Sequence, residues 1–360
     1  LAPFHVALKV VACLMLVSVW VRYDFLPRWW APVSWREHGM FGLPGSAVAA
    51  ELALLPAKGE LPPKTPLVVV VGDSSVGGSA VGESLPWMLR EALAQRFPER
   101  PPQVVNLTFV GLYPQDAIIL VAKALALDPD VIVYAVSPRV IPSEPVVRFT
   151  TAAYEVAFQW DVVSRLGLPF TMALVGREDL GRSVVSSYVP LVRFRAQLSA
   201  ALAAIVRTRI APARVALLDR LVPQPPGLPQ SLPSMADGRY LWPRSHHPLD
   251  PASLCVWALE ALIRLCGREG RCLLYESPIN PASARGFEPG LVDEFDAWVG
   301  ARAAGAGVPV LDARDRGEPL QFRVTFGGQP DAIHPTPQGQ AAFAAILADA
   351  LAPRLRDAAR

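Results

Sequence analysis

The chain has 360 residues, of which 52% are hydrophobic and only 18% are charged, with a formal net charge of +2. A sizeable core is easily supplied, and the near balance of signs excludes the basic surface that nucleic-acid binding requires. Four cysteines, at 13, 255, 266 and 272, form no Cys-x-x-Cys pair, so neither a zinc site nor a thioredoxin-type site is expected.

The first stretch, Leu1 to Val21, is almost wholly apolar, interrupted only by His5, Lys9 and Ser18. About 20 such residues span a bilayer core. Trp20, Tyr23, Phe25, Trp29 and Trp30 follow at once, as the aromatic belt at a membrane surface does. No small-x-small cleavage signal follows, so residues 1–30 read as an uncleaved transmembrane anchor with its interfacial aromatics, an interfacial or core helix being the other reading. Residues 31–66 read as a connector, punctuated by Pro56, Pro62, Pro63 and Pro66.

A globular domain is expected over 67–351, followed by a short tail at 352–360. Leu67 to Val71 is a β-branched run without alternation, which suits a strand covered on both faces. A glycine-rich loop follows, and Ser84 can cap a helix with the stripe Leu85, Met88, Leu89, Ala92, Leu93 and Phe97. Val104 to Leu107 predicts a second strand. Pro114 opens the next helix, and Val131 to Val136 predicts a third strand. Residues 141–250 break the alternation with a helical insertion. Helix and strand then resume at 251–266, 272–275, 291–304 and 308–311, and a closing helix covers 338–351. The pattern predicts an α/β fold with a doubly wound, five-stranded parallel sheet. The insertion leaves the sheet between its third and fourth strands and is expected to form a cap beside the strand C-termini. Cys266 and Cys272 sit in apolar contexts and read as buried free thiols in preference to a bridge.

Two stretches carry chemistry. Gly72-Asp73-Ser74-Ser75 follows the first strand, and Asp331-Ala332-Ile333-His334-Pro335 precedes the closing helix. A serine hydroxyl needs an adjacent base, and the base needs a third group to hold its tautomer. Ser74 is therefore the candidate nucleophile, His334 its base and Asp331 the group that orients the base. Both stretches are expected at the edge where strand C-termini gather, which is where open α/β sheets place their sites. Asp73 reads as a turn residue bonded to its own backbone. His246, His247 and Asp250 lie on one proline-rich loop and read as surface or substrate contacts, so no metal and no cofactor is expected.

These motifs resemble the SGNH, or GDSL-type, hydrolase superfamily over about residues 67–351, apart from the insertion. Gly72 to Ser75 is similar to the family's first block, Asn106-Leu107-Thr108-Phe109-Val110-Gly111 to its second, and Asp331 with His334 to its last. The resemblance implies a flavodoxin-like sheet and an oxyanion held by the backbone N–H groups of Ser74 and Gly111, although a purely conformational role for Gly111 stands beside that. After the third strand the family has Gly-x-Asn, whereas this chain has Ala135-Val136-Ser137-Pro138-Arg139. Ser137 or Arg139 could substitute as donor, and Arg139 reads equally as a surface charge or an anion contact. A Ser-Pro here, with an N-terminal anchor, is more similar to the membrane-anchored helper proteins of cell-wall and polysaccharide acylation. The resemblance implies a membrane-anchored serine esterase or O-acyltransferase acting outside the cytoplasm, in the periplasm, on a glycan or lipid-linked polymer. Its expected partners are the bilayer and a multi-pass membrane acyltransferase. The rival reading is a non-catalytic subunit of a membrane complex, because fold does not determine function and the family's asparagine is missing.

Overall fold

The structure, a computed structural model, describes residues 65–77, 83–109, 112–138, 152–177, 179–189, 249–281, 290–318, 321–324 and 330–358, together with Leu61 and positions 9, 12–13, 15–17 and 19–21. The first strand, β1 (Leu67–Gly72), is buried at all six positions, as its unbroken Val run predicts. Short helix α1 (Ser74–Gly77) follows, then α2 (Leu85–Arg96), β2 (Gln103–Thr108), α3 (Pro114–Ala124) and β3 (Val131–Val136). The Ser84 hydroxyl accepts the Trp87 N–H at 3.3 Å and so caps α2. Pro114 opens α3 with Asp116 in the first turn, where a carboxylate meets the positive end of the helix.

The insertion supplies a 3-10 turn (Ala152–Val156) and helices α4 (Trp160–Leu166), α5 (Leu168–Val175) and α6 (Leu180–Tyr188). Then come α7 (Leu254–Glu269), β4 (Cys272–Glu276), α8 (Leu291–Ala306) and β5 (Val310–Asp312). Two further strands, β6 (Phe322–Val324) and β7 (Pro330–Pro335), precede the closing helix α9 (Pro337–Ala358).

The main sheet has five strands in the order β2-β1-β3-β4-β5, and every pair is parallel. This is the doubly wound α/β architecture expected from the sequence. The strand order reverses between β1 and β3, and ligands in open α/β sheets bind beyond the strand C-termini at such a reversal. Successive residues of β1 point to opposite faces. Val69 and Val71 join a cluster with Ile119 of α3, Leu262 of α7 and Val299 of α8. Val68 and Val70 join a second cluster with Leu89 of α2 and Phe343 and Leu347 of α9. Each fully buried aliphatic side chain contributes roughly 1.5–3 kcal/mol, so the two layers clamp the strand that ends just before Ser74.

Two differences from the sequence expectations stand out. Asp331 and His334 were expected on the stretch after the last strand; they lie in β7, which pairs antiparallel with β6 in a separate ribbon. Cys266 and Cys272 are bonded to each other, which overturns the reading of two free thiols. Gly270 adopts φ 69°, the left-handed conformation that ends α7, and the turn brings the two Cα atoms within 5.2 Å. The described part of the insertion packs along α3 and α7. Lys123 of α3 forms an ion pair with Asp161 of α4, Phe170 of α5 stacks on Trp257 of α7 at 4.4 Å, and Val162 and Leu174 enter the first core cluster.

Most of the expected anchor at 1–30, the connector at 31–66 and residues 190–248 of the insertion fall outside the described residues. Among the described residues no helix is long and apolar enough to cross a membrane.

Candidate active site

The site begins at the end of β1. Gly72 is required there by close approach: a Cβ at this position would lie 2.5 Å from Val76 Cγ2 and 2.9 Å from the Ala135 Cβ. The chain can therefore fold tightly from strand into α1. The Asp73 carboxylate accepts the Ser75 N–H at 2.8 Å and the Ser75 hydroxyl at 2.6 Å. Asp73 is buried and its visible work is to shape the turn, as its position suggested. The result holds Ser74 partly exposed at the start of α1, just past the C-terminal end of the sheet.

β7 delivers the partner groups. Ser74 Oγ lies 2.9 Å from His334 Nε2, and His334 Nδ1 lies 2.9 Å from Asp331 Oδ2. The other carboxylate oxygen, Oδ1, accepts the backbone N–H groups of Ile333 at 2.9 Å and His334 at 3.0 Å. Burial pushes the Asp331 carboxyl up, but the hydrogen bond and charge interaction with His334, together with the two backbone donors, outweigh it and hold the group below its ordinary value. An ionised Asp331 accepts only, so Nδ1 carries the proton and the Nε2 lone pair faces the Ser74 hydroxyl. Ser74 and His334 are 260 residues apart in the chain. α1 packs on β7, which brings them together.

Two buried amides brace this arrangement. Asn280, in the segment after β4, donates its Nδ2 to the Asp331 carbonyl at 2.8 Å. Gln340, in the first turn of α9, donates its Nε2 to the Ser75 carbonyl at 2.9 Å. The base-carrying strand is thus fastened to the segment after β4, and the nucleophile turn to the closing helix α9. Arg323 of β6 adds a third tie, donating to the Pro335 carbonyl at 3.1 Å and pairing with Glu83 at 3.2 Å. Farther along the same sheet edge, Glu276 ends β4 in register with Val136 and Asp312. Burial and the charge of Asp312, opposed by Arg314, push its carboxyl up to about 7.

Of the other expected oxyanion donors, Ser137 is buried immediately past β3. Gly111 and Arg139 lie outside the described residues, as do His246 and His247. Among the described residues no group of His, Cys, Asp and Glu is arranged to hold a metal ion.

No protein-family model and no curated protein matches the chain. Solved structures do. The chain is similar to a lipase/acylhydrolase from Enterococcus faecalis at 13% identity and TM-score 0.40, covering 81% of this chain and 97% of that one. It is also similar to LAE5, an alpha/beta hydrolase enzyme from the metagenome of Lake Arreo, Spain, at 14% identity and TM-score 0.34, covering 83% of this chain and 96% of that one.

Asn280 and Gln340 were not singled out from the sequence. For Asn280 the available signal was an amide between Pro278 and Pro281 just after a predicted buried strand. Gln340 carried no comparable signal, since a glutamine in the first turn of a helix is ordinary.

Proposed function

We propose that the chain is a serine esterase or O-acyltransferase working through Ser74, His334 and Asp331. The observation that carries this reading is the continuous hydrogen-bonded line from Ser74 Oγ through the imidazole to Asp331. Ser74 Oγ attacks an ester carbonyl carbon while its proton passes to His334 Nε2. The tetrahedral intermediate expels the alcohol, which takes that proton, and leaves Ser74 acylated. Water or an acceptor hydroxyl then attacks and gives its proton to His334, which passes a proton to Ser74 Oγ as the acyl product leaves. Asp331 holds the ring and stabilises the imidazolium. The Ser74 N–H, Gly111 and, in place of the usual asparagine, Ser137 or Arg139 are the proposed oxyanion donors, each such donor being worth about 2.7–4 kcal/mol.

The domain is proposed to sit outside the cytoplasm on a membrane anchor, acting on a glycan or lipid-linked polymer beside a multi-pass membrane acyltransferase. The Cys266–Cys272 bond supports an oxidising compartment. Helical residues Met15, Leu16, Val19 and Trp20 expose apolar side chains, which supports contact with lipid.

Labelling with a fluorophosphonate probe tests the reaction. Modification of folded protein at Ser74, lost in Ser74→Ala, is the expected result. Silence from folded protein would favour the accessory-subunit reading, which the Ser137-Pro138 sequence after β3 keeps in play.

A further inference from the structure

Away from the triad, a cleft of about 230 Å3 opens between the insertion and the helical layer. Its floor is apolar: Ile118 of α3, Leu166 of α4, Phe170 of α5 and Leu265 of α7 line it. Three arginines, Arg165, Arg264 and Arg268, line it as well. Arg264 and Arg268 expose more than half of their side chains. Arg165 spends one N–H on the Asp161 carbonyl, and Arg268 spends one on the Arg165 carbonyl. Arg264 pairs with Glu260 at 3.4 Å, and Arg268 approaches Glu269 at 3.6 Å, but among the described residues no carboxylate pairs with Arg165. Guanidinium groups over an apolar floor match an amphipathic anion, with charge at the rim and hydrocarbon below.

Helices α4 and α5, which wall the cleft, and the following α6 also carry an apolar surface. Trp160 is 78% exposed, Tyr188 63% and Leu168 50%, and Met172, Val184 and Val185 are exposed as well. On α5, Leu168 and Met172 are one turn apart, as are Val184 and Tyr188 on α6, so each helix presents an apolar stripe. Exposed apolar residues grouped on successive helices mark an interaction surface. Trp and Tyr among aliphatic residues, with arginines beside them, is the composition of a face that lies in a bilayer interface. The N-terminal helical residues point the same way. Met15, Leu16, Val17, Val19 and Trp20 are exposed and apolar, and Val21 is buried in the same core cluster as Val162 of α4 and Leu174 of α5.

We propose that the α4–α6 face, with the arginine cleft at its side, docks on an anionic bilayer and seats a lipid phosphate between Arg165, Arg264 and Arg268. This rests on the membrane part of the reading above and is independent of the reaction. Arg268 precedes the first residue of β4 by four positions, so the cleft lies toward the edge where the strands begin. Ser74 lies where β1 ends, roughly 20 Å away for a six-residue strand. Docking by this face therefore leaves the catalytic edge turned from the lipid and open to a polymer.

The full chain, reconstituted into nanodiscs of phosphatidylcholine alone or with 30% phosphatidylglycerol, tests this by hydrogen–deuterium exchange. The expected result is exchange at least fivefold slower in peptides covering 160–188 with phosphatidylglycerol, reversed by 0.5 M salt and lost in Arg264→Gln/Arg268→Gln. Ser74 labelling stays unchanged in that variant. Equal exchange in both discs overturns the proposal, as does protection that survives high salt. Protection given equally by soluble glycerol phosphate, or rising with protein concentration without lipid, also overturns it, in favour of a free anion or a second copy. Co-elution with the discs reports separately on the anchor: a chain that fails to incorporate removes the membrane reading itself.

Discussion

Asp331→Asn is the most informative single change. Oδ1 of Asp331 faces two backbone N–H groups, at 2.9 and 3.0 Å, and Oδ2 faces His334 Nδ1. An asparagine must keep its oxygen toward the two backbone donors, because an NH2 group there would set donor against donor. Its NH2 is therefore forced onto His334 Nδ1, which must become the acceptor. The ring proton then moves to Nε2, the atom 2.9 Å from Ser74 Oγ, and the base can no longer take the serine proton. Loss of the correct tautomer costs about ten-thousandfold in turnover, or about 5.5 kcal/mol. The fold should survive. Both backbone bonds remain, and replacing one charge-assisted bond by a neutral one costs about 1 kcal/mol, or about 2–4 °C in melting temperature. Fluorophosphonate labelling rates for wild type and variant, with melts on the same samples and nitrogen NMR of the histidine ring, check each step. Labelling within tenfold of wild type by a variant with the altered tautomer would refute the reasoning.

Other perturbations separate scaffold from site. Gln340→Ala strands the Ser75 carbonyl, at a cost of about 1–3 kcal/mol, and should slow labelling of Ser74 as well as lower the melt; a lower melt with unchanged labelling would reduce Gln340 to a packing role. Glu276, raised from 4.5 to about 7, contributes stability that is complete below 4.5 and lost as pH rises through 7. Glu276→Gln should therefore gain in melting temperature relative to wild type at pH 8 compared with pH 5, and calorimetry showing the same difference at both would contradict this. Reduction of Cys266–Cys272 should destabilise by about 2 kcal/mol for so short a loop, read from urea melts with and without reductant; coincident melts would count against the bond. Gly267→Ala places a Cβ 2.2 Å from the Ala306 carbonyl oxygen, where α7 meets α8. Overpacking of about 1–3 kcal/mol should outweigh the gain of about 1 kcal/mol in helix propensity, and a stabilised variant would show that the two helices can part without cost.

Local physics made much of this protein legible in its sequence. The run Leu67 to Val71 has no alternation, so it could only be a strand covered on both faces, and the repeated change from strand to helical periodicity specified the parallel α/β architecture. Ser74, His334 and Asp331 stood out because few side chains can share the work of a nucleophile and its base, and two of them flanked recognisable elements. What sequence could not supply were relations across long separations. The 2.9 Å contact between Ser74 and His334 spans 260 residues and depends on α1 packing against β7, a strand too polar and too rich in proline to announce itself. The braces from Asn280 and Gln340 use ordinary amides whose role appears only when the opposite carbonyl arrives. The Cys266–Cys272 bond depended on a left-handed turn at Gly270, and the two cysteines' apolar neighbours suit a bridge as well as they suit free thiols. The arginine cleft draws residues from α3, α4, α5 and α7, so no single segment carries its pattern. Periodicity and turn chemistry act over a few residues; which distant side chains meet is decided by how the layers pack.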